Sequence, residues 1–302
     1  MAILGIDEVG RGPWAGPLVV GACVLGDAKI EGLADSKKLS AKRREILAQE
    51  IHQKASCGLG WVSAAELDEI GLSAALRKAC RAAVAEISAS GTSFHEIIID
   101  GTINFLSDTQ LTDYVQILKK ADALIPEVSA ASIIAKVARD NYMIKLAEKY
   151  PAYGFENHVG YGTAAHKNAI ETCGICPEHR KSFRPIREYC EKNTSQKGQQ
   201  GEAAVADYLR AKGYDIIARN WKNKFCEIDI VAQKNQILYF VEVKYRKHGD
   251  GLDAITSKKL QQMRFAAEFY LQSNELVDKN ACLAAASVDG DGFEIRDFLV
   301  LE

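Results

Sequence analysis

Residues 5–25 read GIDEVGRGPWAGPLVVGACVL: an apolar run broken by two adjacent acids, a turn rich in glycine and proline, and a second apolar run. The stretches 2–7 and 17–25 read as strands joined by that turn. Asp7 and Glu8 close the first of them. Ionised groups inside an otherwise apolar strand are expensive unless they are paired or bind a metal. Neighbouring strand residues point to opposite faces. Asp7 and Glu8 therefore converge only if the strand ends at Glu8, which the turn Val9-Gly10-Arg11-Gly12 allows.

Outward from this segment, 40–55 and 73–88 read as helices, the second with Leu76, Cys80, Ala83 and Ile87 at helical spacing. Short strands are expected at 96–100 and 115–118, and a long helix at 129–149, capped by Ser129. Strands followed by alternating helices and strands predict an α/β domain with a mixed sheet. The run CEKNTSQKGQQ (190–200) is polar and lacks apolar periodicity, so it reads as a linker or a frayed helix end. The chain of 302 residues thus divides into a domain at 1–190, a linker at 191–198 and a domain at 199–302. In the second domain helices are expected at 200–212 and 257–272. Its strands are expected at 215–219, 227–232, 238–245, 281–288 and 293–300. This is a smaller α/β unit.

Composition sets bounds. No apolar run is long enough for a membrane span, and the start MAILGIDEVG lacks the basic and apolar regions of a secretory signal, so a cytoplasmic enzyme is expected. Eight scattered cysteines read as free thiols. Cys173 and Cys176 form a CxxC with no second pair nearby, which favours a plain loop over a zinc knuckle. From Gly201 onward there are 14 Lys and Arg against 16 Asp and Glu, so neither domain is basic overall. Bulk charge gives no support for nucleic-acid binding, and any such case rests on local geometry.

Four carboxylates sit where strands end or loops begin: Asp7, Glu8, Asp100 before Gly101, and Asp122 after Lys119-Lys120-Ala121. A single acid of this kind is usually a turn former. A cluster of three or four suits magnesium, which prefers hard oxygen ligands. Phosphodiester hydrolysis needs an activated water and a stabilised leaving oxygen, and paired divalent ions supply both. The glycines of Gly10-Arg11-Gly12 let the backbone approach a ligand closely. Amides exposed there suit a ribose 2′-hydroxyl. His158, His166 and His179 read as scaffold or phosphate contacts rather than general bases. Lys136 and Asp140, four apart on a helix, are placed to pair on its surface.

Taken in order, GIDEVGRGPWAGPLVVGACVL (5–25), DSKKLS (35–40), IIIDG (97–101), KKADALIPEVSAASIIAKVARD (119–140), HVGYGT (158–163) and HRKSF (179–183) resemble the ribonuclease HII family over about 1–190. The resemblance implies a ribonuclease H-like fold and metal-binding carboxylates at Asp7, Glu8, Asp100 and Asp122, with Mg²⁺ or Mn²⁺ as cofactor. It implies that Gly10, Arg11, Gly12 and Tyr161 read the 2′-hydroxyl, with Tyr161 stacked on the neighbouring sugar. Ser36, Lys37 and Lys136 match positions that contact backbone phosphates. The implied reaction is cleavage of RNA in RNA–DNA hybrids, and of duplex DNA on the 5′ side of an embedded ribonucleotide. Two departures stand out: Val159 where the family usually carries lysine, and Thr102 where Asn is common.

In the second domain Glu227 and Asp229 share one strand face, with Ile228 and Ile230 on the other. Glu242, Lys244 and Arg246 share a face of the next strand, opposite Val241, Val243 and Tyr245. Glu202 begins the preceding helix. An acid on one strand and E-x-K on the next is an arrangement of metal-dependent endonucleases, although a half-buried strand also alternates in this way. The segments GQQGEAAVADYLRAKGYDIIARNW (198–221), EIDIVA (227–232), FVEVKYR (240–246) and the Lys258-Lys259 helix resemble the uncharacterised YraN-like family. That family is similar to the PD-(D/E)xK, restriction-endonuclease-like fold and to Holliday-junction resolvases. It often has Gly where this chain has Cys226. The resemblance implies a second endonuclease site at Glu202, Asp229, Glu242 and Lys244, with branched DNA as substrate. The alternative is a non-catalytic module that binds DNA or a partner.

Overall fold

The structure is a computed structural model and describes residues 2–301 except 35, 37, 38, 247–254 and 291. The chain divides into two compact units, Met1–Glu188 and Tyr189–Glu302. In chain order the elements are β1 (Ile3–Val9), β2 (Leu18–Val24), α1 (Ala41–Lys54), β3 (Ser56–Val62), α2 (Ala64–Ile70), α3 (Leu72–Ala89), β4 (Glu96–Asp100), β5 (Val115–Leu118), α4 (Pro126–Lys149), α5 (Phe155–His158) and α6 (Ala164–Cys173). They continue with α7 (Arg184–Ala211), β6 (Asp215–Lys222), β7 (Glu227–Lys234), β8 (Ile237–Arg246), α8 (Ser257–Ser273), β9 (Ala281–Asp289) and β10 (Glu294–Val300).

The first sheet has the order β3-β2-β1-β4-β5. β1 and β2 are antiparallel, as are β2 and β3, whereas β1, β4 and β5 run parallel. Both faces are covered. Leu4, Ile6, Val20, Ala22, Ile97 and Ile99 pack against Leu76, Ala79, Cys80 and Ala83 of α3. On the other face Cys23 packs with Leu47 and Ile51 of α1 and Ala130 to Ile134 of α4. Helix α4 lies directly on β1, because a Cβ at Gly5 would stand 2.3 Å from the backbone of Glu127 and Val128. That contact sets the start of α4 beside the acid-bearing strand.

Several sequence expectations change. β1 does not stop at Glu8. It runs through Val9, with Asp7, Glu8 and Val9 paired to Gly21, Val20 and Val19 of β2, so the two acids point to opposite faces. Helix α4 starts three residues before Ser129, at Pro126, with no side-chain cap. Proline at the first helical position supplies the fixed φ that opens a helix, and the Ser129 hydroxyl instead donates to the backbone carbonyl of Asp122. Strand β3 was not anticipated, since the glycines in SCGLGWV weaken a strand pattern. The stretch 191–198, read as a linker, is helical and lies inside α7. Its Glu, Lys and Gln residues favour helix, and its polarity marks exposure rather than irregular backbone.

The second sheet has the order β10-β9-β8-β7-β6, with β8 and β9 parallel and the other pairs antiparallel. Val205, Ala206 and Leu209 of α7 pack on one face with Ile230, Val241 and Ala284. Met263, Ala266 and Tyr270 of α8 pack on the other with Phe240 and Leu283. Ile228 and Ile230, expected on one face, fall on different faces: Ile228 joins the α8 side. The alternation breaks at Asp229, where the β7–β8 ladder ends after Ile230 and Val241.

Candidate active sites

In the first unit Asp7 and Asp100 stand side by side where β1 and β4 finish their shared ladder. The last paired positions are Ile6 and Ile99, so Asp7 and Asp100 come next on adjacent strands. Asp7 is buried, and its carboxylate accepts the Glu8 N–H at 2.8 Å and bonds the Ser132 hydroxyl of α4. Burial, then repulsion from Glu8 and Asp100, pushes its pKa up to about 8. Burial also raises Glu8, although Arg11 Nη1, 3.1 Å from Glu8 Oε1, opposes this. Glu8 Oε2 is buried and has no hydrogen-bond partner. Asp100 Oδ1 accepts the Ala121 N–H at 2.8 Å, which ties β4 to the turn holding the buried Asp122.

Among the described residues, no group of three or more His, Cys, Asp or Glu side chains stands arranged to hold a metal ion. Each acid with a known partner is engaged by the protein: Glu8 by Arg11, and Asp7 and Asp100 by backbone amides. The donor set nonetheless suits a hard cation, because an acid oxygen is buried unpaired and the Asp7 carboxylate is disfavoured first by its burial and then by repulsion from Glu8 and Asp100.

The turn after β1 is held by two buried arginines. Arg139 donates to the carbonyls of Pro17 (2.9 Å), Val159 (2.9 Å) and Ala15 (3.1 Å). Arg180 donates to Gly16 (2.8 Å) and Arg11 (3.3 Å). Burial lowers Arg139 to about 10 and Arg180 to about 9, which leaves both charged at neutral pH. Gly10 has φ +89°, and a Cβ there would stand 2.5 Å from Arg139 Nε, so glycine is needed for this fit. The Tyr161 ring stands beside Gly12, 3.8 Å from where a Cβ would be, and is 45% exposed. The structure thus brings Gly10, Arg11, Gly12 and Tyr161 together. Arg139 supports this region through those three carbonyls. The role of Arg180 was not anticipated, since a buried arginine that bonds backbone carbonyls leaves no pattern in sequence.

Ser36 is buried, with its hydroxyl 2.9 Å from that of Ser132, so a hydrogen-bonded chain runs from Ser36 through Ser132 to Asp7. Lys136 pairs with Asp140 at 2.6 Å. Lys37 lies outside the described residues. Val159 has φ +43°, a strained conformation for a β-branched residue. Its carbonyl is one of those held by Arg139.

His158, His166 and His179 form a buried scaffold. His158 stacks on His166 with centroids 4.5 Å apart, and His166 Nε2 lies 3.0 Å from His179 Nε2. His179 Nδ1 accepts the Cys176 N–H, so its Nε2–H donates to His166, whose Nδ1–H donates to the Tyr161 carbonyl. The histidines therefore hold the Tyr161 backbone. Burial lowers His166 and His179 to about 4. As pH falls from the ordinary histidine value of 6.5 toward 4, the unfolded chain takes up protons that the folded one refuses. Stability from this pair is complete above that window and lost within it. His166→Asn should make stability depend less steeply on pH there, by up to about 1.4 kcal/mol per pH unit. Urea unfolding across the window measures this, and an unchanged slope would refute it.

In the second unit Asp229 Oδ2 accepts the Val243 N–H at 2.7 Å, where the strand ladder has ended. The strands part there, and a carboxylate takes the place of a backbone acceptor. Glu242 is buried and binds Lys244 at 2.6 Å and Lys259 of α8 at 2.5 Å. Burial and then repulsion from Glu242 push Asp229 up to about 7. Glu202 is raised by burial, feels both Glu227 and Glu242, and has a buried unpaired Oε2. Glu202, Asp229, Glu242 and Lys244 are thus gathered in one place. Lys259 is the member that the strand pattern missed, since it arrives on a helix distant in sequence.

A mixed sheet covered on both faces, with acids on adjoining parallel strand ends, defines the class: a ribonuclease H-like α/β domain, followed here by a second, smaller α/β domain. The family model for Ribonuclease HII matches residues 4–186. The model for Uncharacterised protein family UPF0102 matches 201–289. Ribonuclease HII of Shewanella halifaxensis is 48% identical over 186 residues, covering 61% of this chain and 88% of that one. That of Polynucleobacter asymbioticus is 45% identical over 192 residues, covering 63% and 96%. The crystal structure of ribonuclease H2 from Pyrococcus horikoshii superposes with a TM-score of 0.50 at 28% identity, covering 64% of this chain and 98% of that one. The ribonuclease HII of the Archaeoglobus fulgidus PCNA complex gives a TM-score of 0.50 at 30% identity, covering 61% and 96%. The chain belongs to the ribonuclease HII family and is a type II ribonuclease H, a hydrolase.

Proposed function

We propose that the first unit hydrolyses the RNA strand of RNA–DNA hybrids and nicks duplex DNA on the 5′ side of an embedded ribonucleotide. The observation that carries this reading is the juxtaposition of buried, mutually repelling acids with the Gly10–Gly12 turn and Tyr161. Asp7, Glu8, Asp100 and Asp122 would hold Mg²⁺ or Mn²⁺. When bound, paired divalent ions activate the attacking water and stabilise the leaving oxygen. Glu8 must then leave Arg11, which frees that guanidinium for a phosphate. The amides around Gly10–Gly12 bond the 2′-hydroxyl, and the exposed Tyr161 ring stacks on the next sugar. Lys136 and Ser36 are assigned to backbone phosphates; Lys136 would first have to part from Asp140, and the Ser36 hydroxyl from Ser132. The test is duplex DNA carrying one ribonucleotide, incubated with either metal ion. Nicking on its 5′ side is expected, and cleavage elsewhere or none with either ion would overturn the reading.

For the second unit we infer a metal-dependent DNA endonuclease acting on branched DNA, with Asp229, Glu242 and Glu202 as acids and Lys244 orienting water. Support comes from the burial of these acids beside a lysine at parted strands. Glu242→Ala, placed in an Asp100→Asn chain to silence the first unit, should reduce metal-dependent nicking of branched DNA by about a thousandfold or more. Equal nicking with and without Glu242 would favour a non-catalytic binding module.

A further inference from the structure

Beside the acids of the second unit lies an open basin of about 500 Å³, lined by Phe225, Glu227, Lys258, Lys259, Gln262 and Phe265 among others. Its rim is aromatic. Phe225 is 62% exposed and Phe265 50% exposed, and Phe269 stands 6.2 Å from each ring. Single exposed apolar residues are ordinary on protein surfaces, but two exposed rings that line one hollow and are bridged by a third form a patch that suits binding. Its second component is cationic. Lys224 Nζ lies 4.7 Å over the Phe225 ring. Lys258 and Lys259 occupy the first turn of α8, which contains no acid. Cations at the positive end of a helix dipole are unfavourable in isolation, and an anion bound there reverses the sign. Third, the basin is continuous with the acids: Lys259 pairs with Glu242, and Glu227 and Met263 also wall the small crevice that reaches Glu242.

We infer that this basin binds an unpaired polynucleotide strand, with bases stacked on Phe225 and Phe265 and phosphates against Lys224 and Lys258, leading the strand to Glu242. The direction of the strand rests on the reading of this unit as a nuclease; the binding does not. Bases within a duplex have both faces covered by their neighbours, so an exposed phenyl ring can stack only on a base that is unpaired or at an end. An acidic peptide would satisfy the lysines and leave the rings in water.

The test uses the full chain in EDTA with a short oligothymidylate carrying one photoreactive 5-iodouracil, alone or hybridised to its complement. Cross-linked peptides are mapped by mass spectrometry, which separates this basin from the first unit. Cross-links at Phe225 or Phe265 are expected with the single strand and not with the duplex. Phe265→Ala should lower the yield at Phe225, and Phe225→Ala the yield at Phe265, each by about five- to a hundredfold. Lys258→Glu should lower both, and excess polyglutamate should compete poorly. Cross-links confined to the first unit, equal labelling by duplex, or displacement by polyglutamate would overturn the inference. If labelling occurs here while Glu242→Ala leaves nicking unchanged, the strand site stands and the nuclease reading falls. Glu242-dependent nicking with no label here overturns the strand site alone.

Discussion

Asp100→Asn is expected to lower nicking of ribonucleotide-containing DNA by about a thousandfold or more while leaving the fold intact. Asp100 Oδ1 accepts the Ala121 N–H, and the amide oxygen of asparagine can accept the same bond. The tie between β4 and the turn carrying Asp122 is therefore kept. What disappears is one negative charge beside Asp7 and Glu8, each of which is repelled by Asp100. A hard divalent ion then meets one anionic oxygen donor fewer. Repulsion among the remaining acids falls, so the variant should be no less stable than the parent and should still bind hybrid. Single-turnover nicking, hybrid binding and urea unfolding on the same preparation separate these effects. Near-parental nicking would remove Asp100 from the chemistry. Loss of binding together with activity would make its role structural.

Arg139→Met is expected to destabilise the first unit by about 3–5 kcal/mol. Methionine keeps most of the arginine stem, so packing changes little, but the carbonyls of Pro17, Ala15 and Val159 lose their donors in a buried setting. Each buried acceptor left unsatisfied costs about 1–3 kcal/mol. Two of these carbonyls lie in the turn that follows Gly10, and the third is that of Val159, whose positive φ is already unfavourable. The arginine therefore ties the Gly10–Gly12 turn to the segment carrying Tyr161. Activity should fall through weaker substrate binding, seen as a raised KM, at temperatures where the variant is still folded. A stability change below about 1 kcal/mol would show that water replaces the guanidinium readily.

Much of this was legible in the linear order of residues. Asp7 and Glu8 stand out because an acid inside an apolar strand needs a reason, and E-x-K stands out by alternation. The class of the fold followed from strands alternating with helices, and the ordered motifs carried the family. A change in composition was visible at 190–200, but the helical backbone there was not, since a polar helix and a polar linker share a vocabulary.

The sequence by itself therefore determined which residues carry ionisable groups and in what pattern, because those are properties of side chains and short spacings. Only the tertiary structure decided their geometry. It sent Asp7 and Glu8 to opposite faces by extending β1 to Val9, and it set Asp100 next to Asp7 through the β1–β4 register. It also enclosed Arg180 among carbonyls, parted β7 and β8 at Asp229, and brought Lys259 to Glu242. These contacts join residues far apart in the chain. Burial and register, which fix each partner and each shift in protonation, exist only once the sheets have formed and the helices cover them.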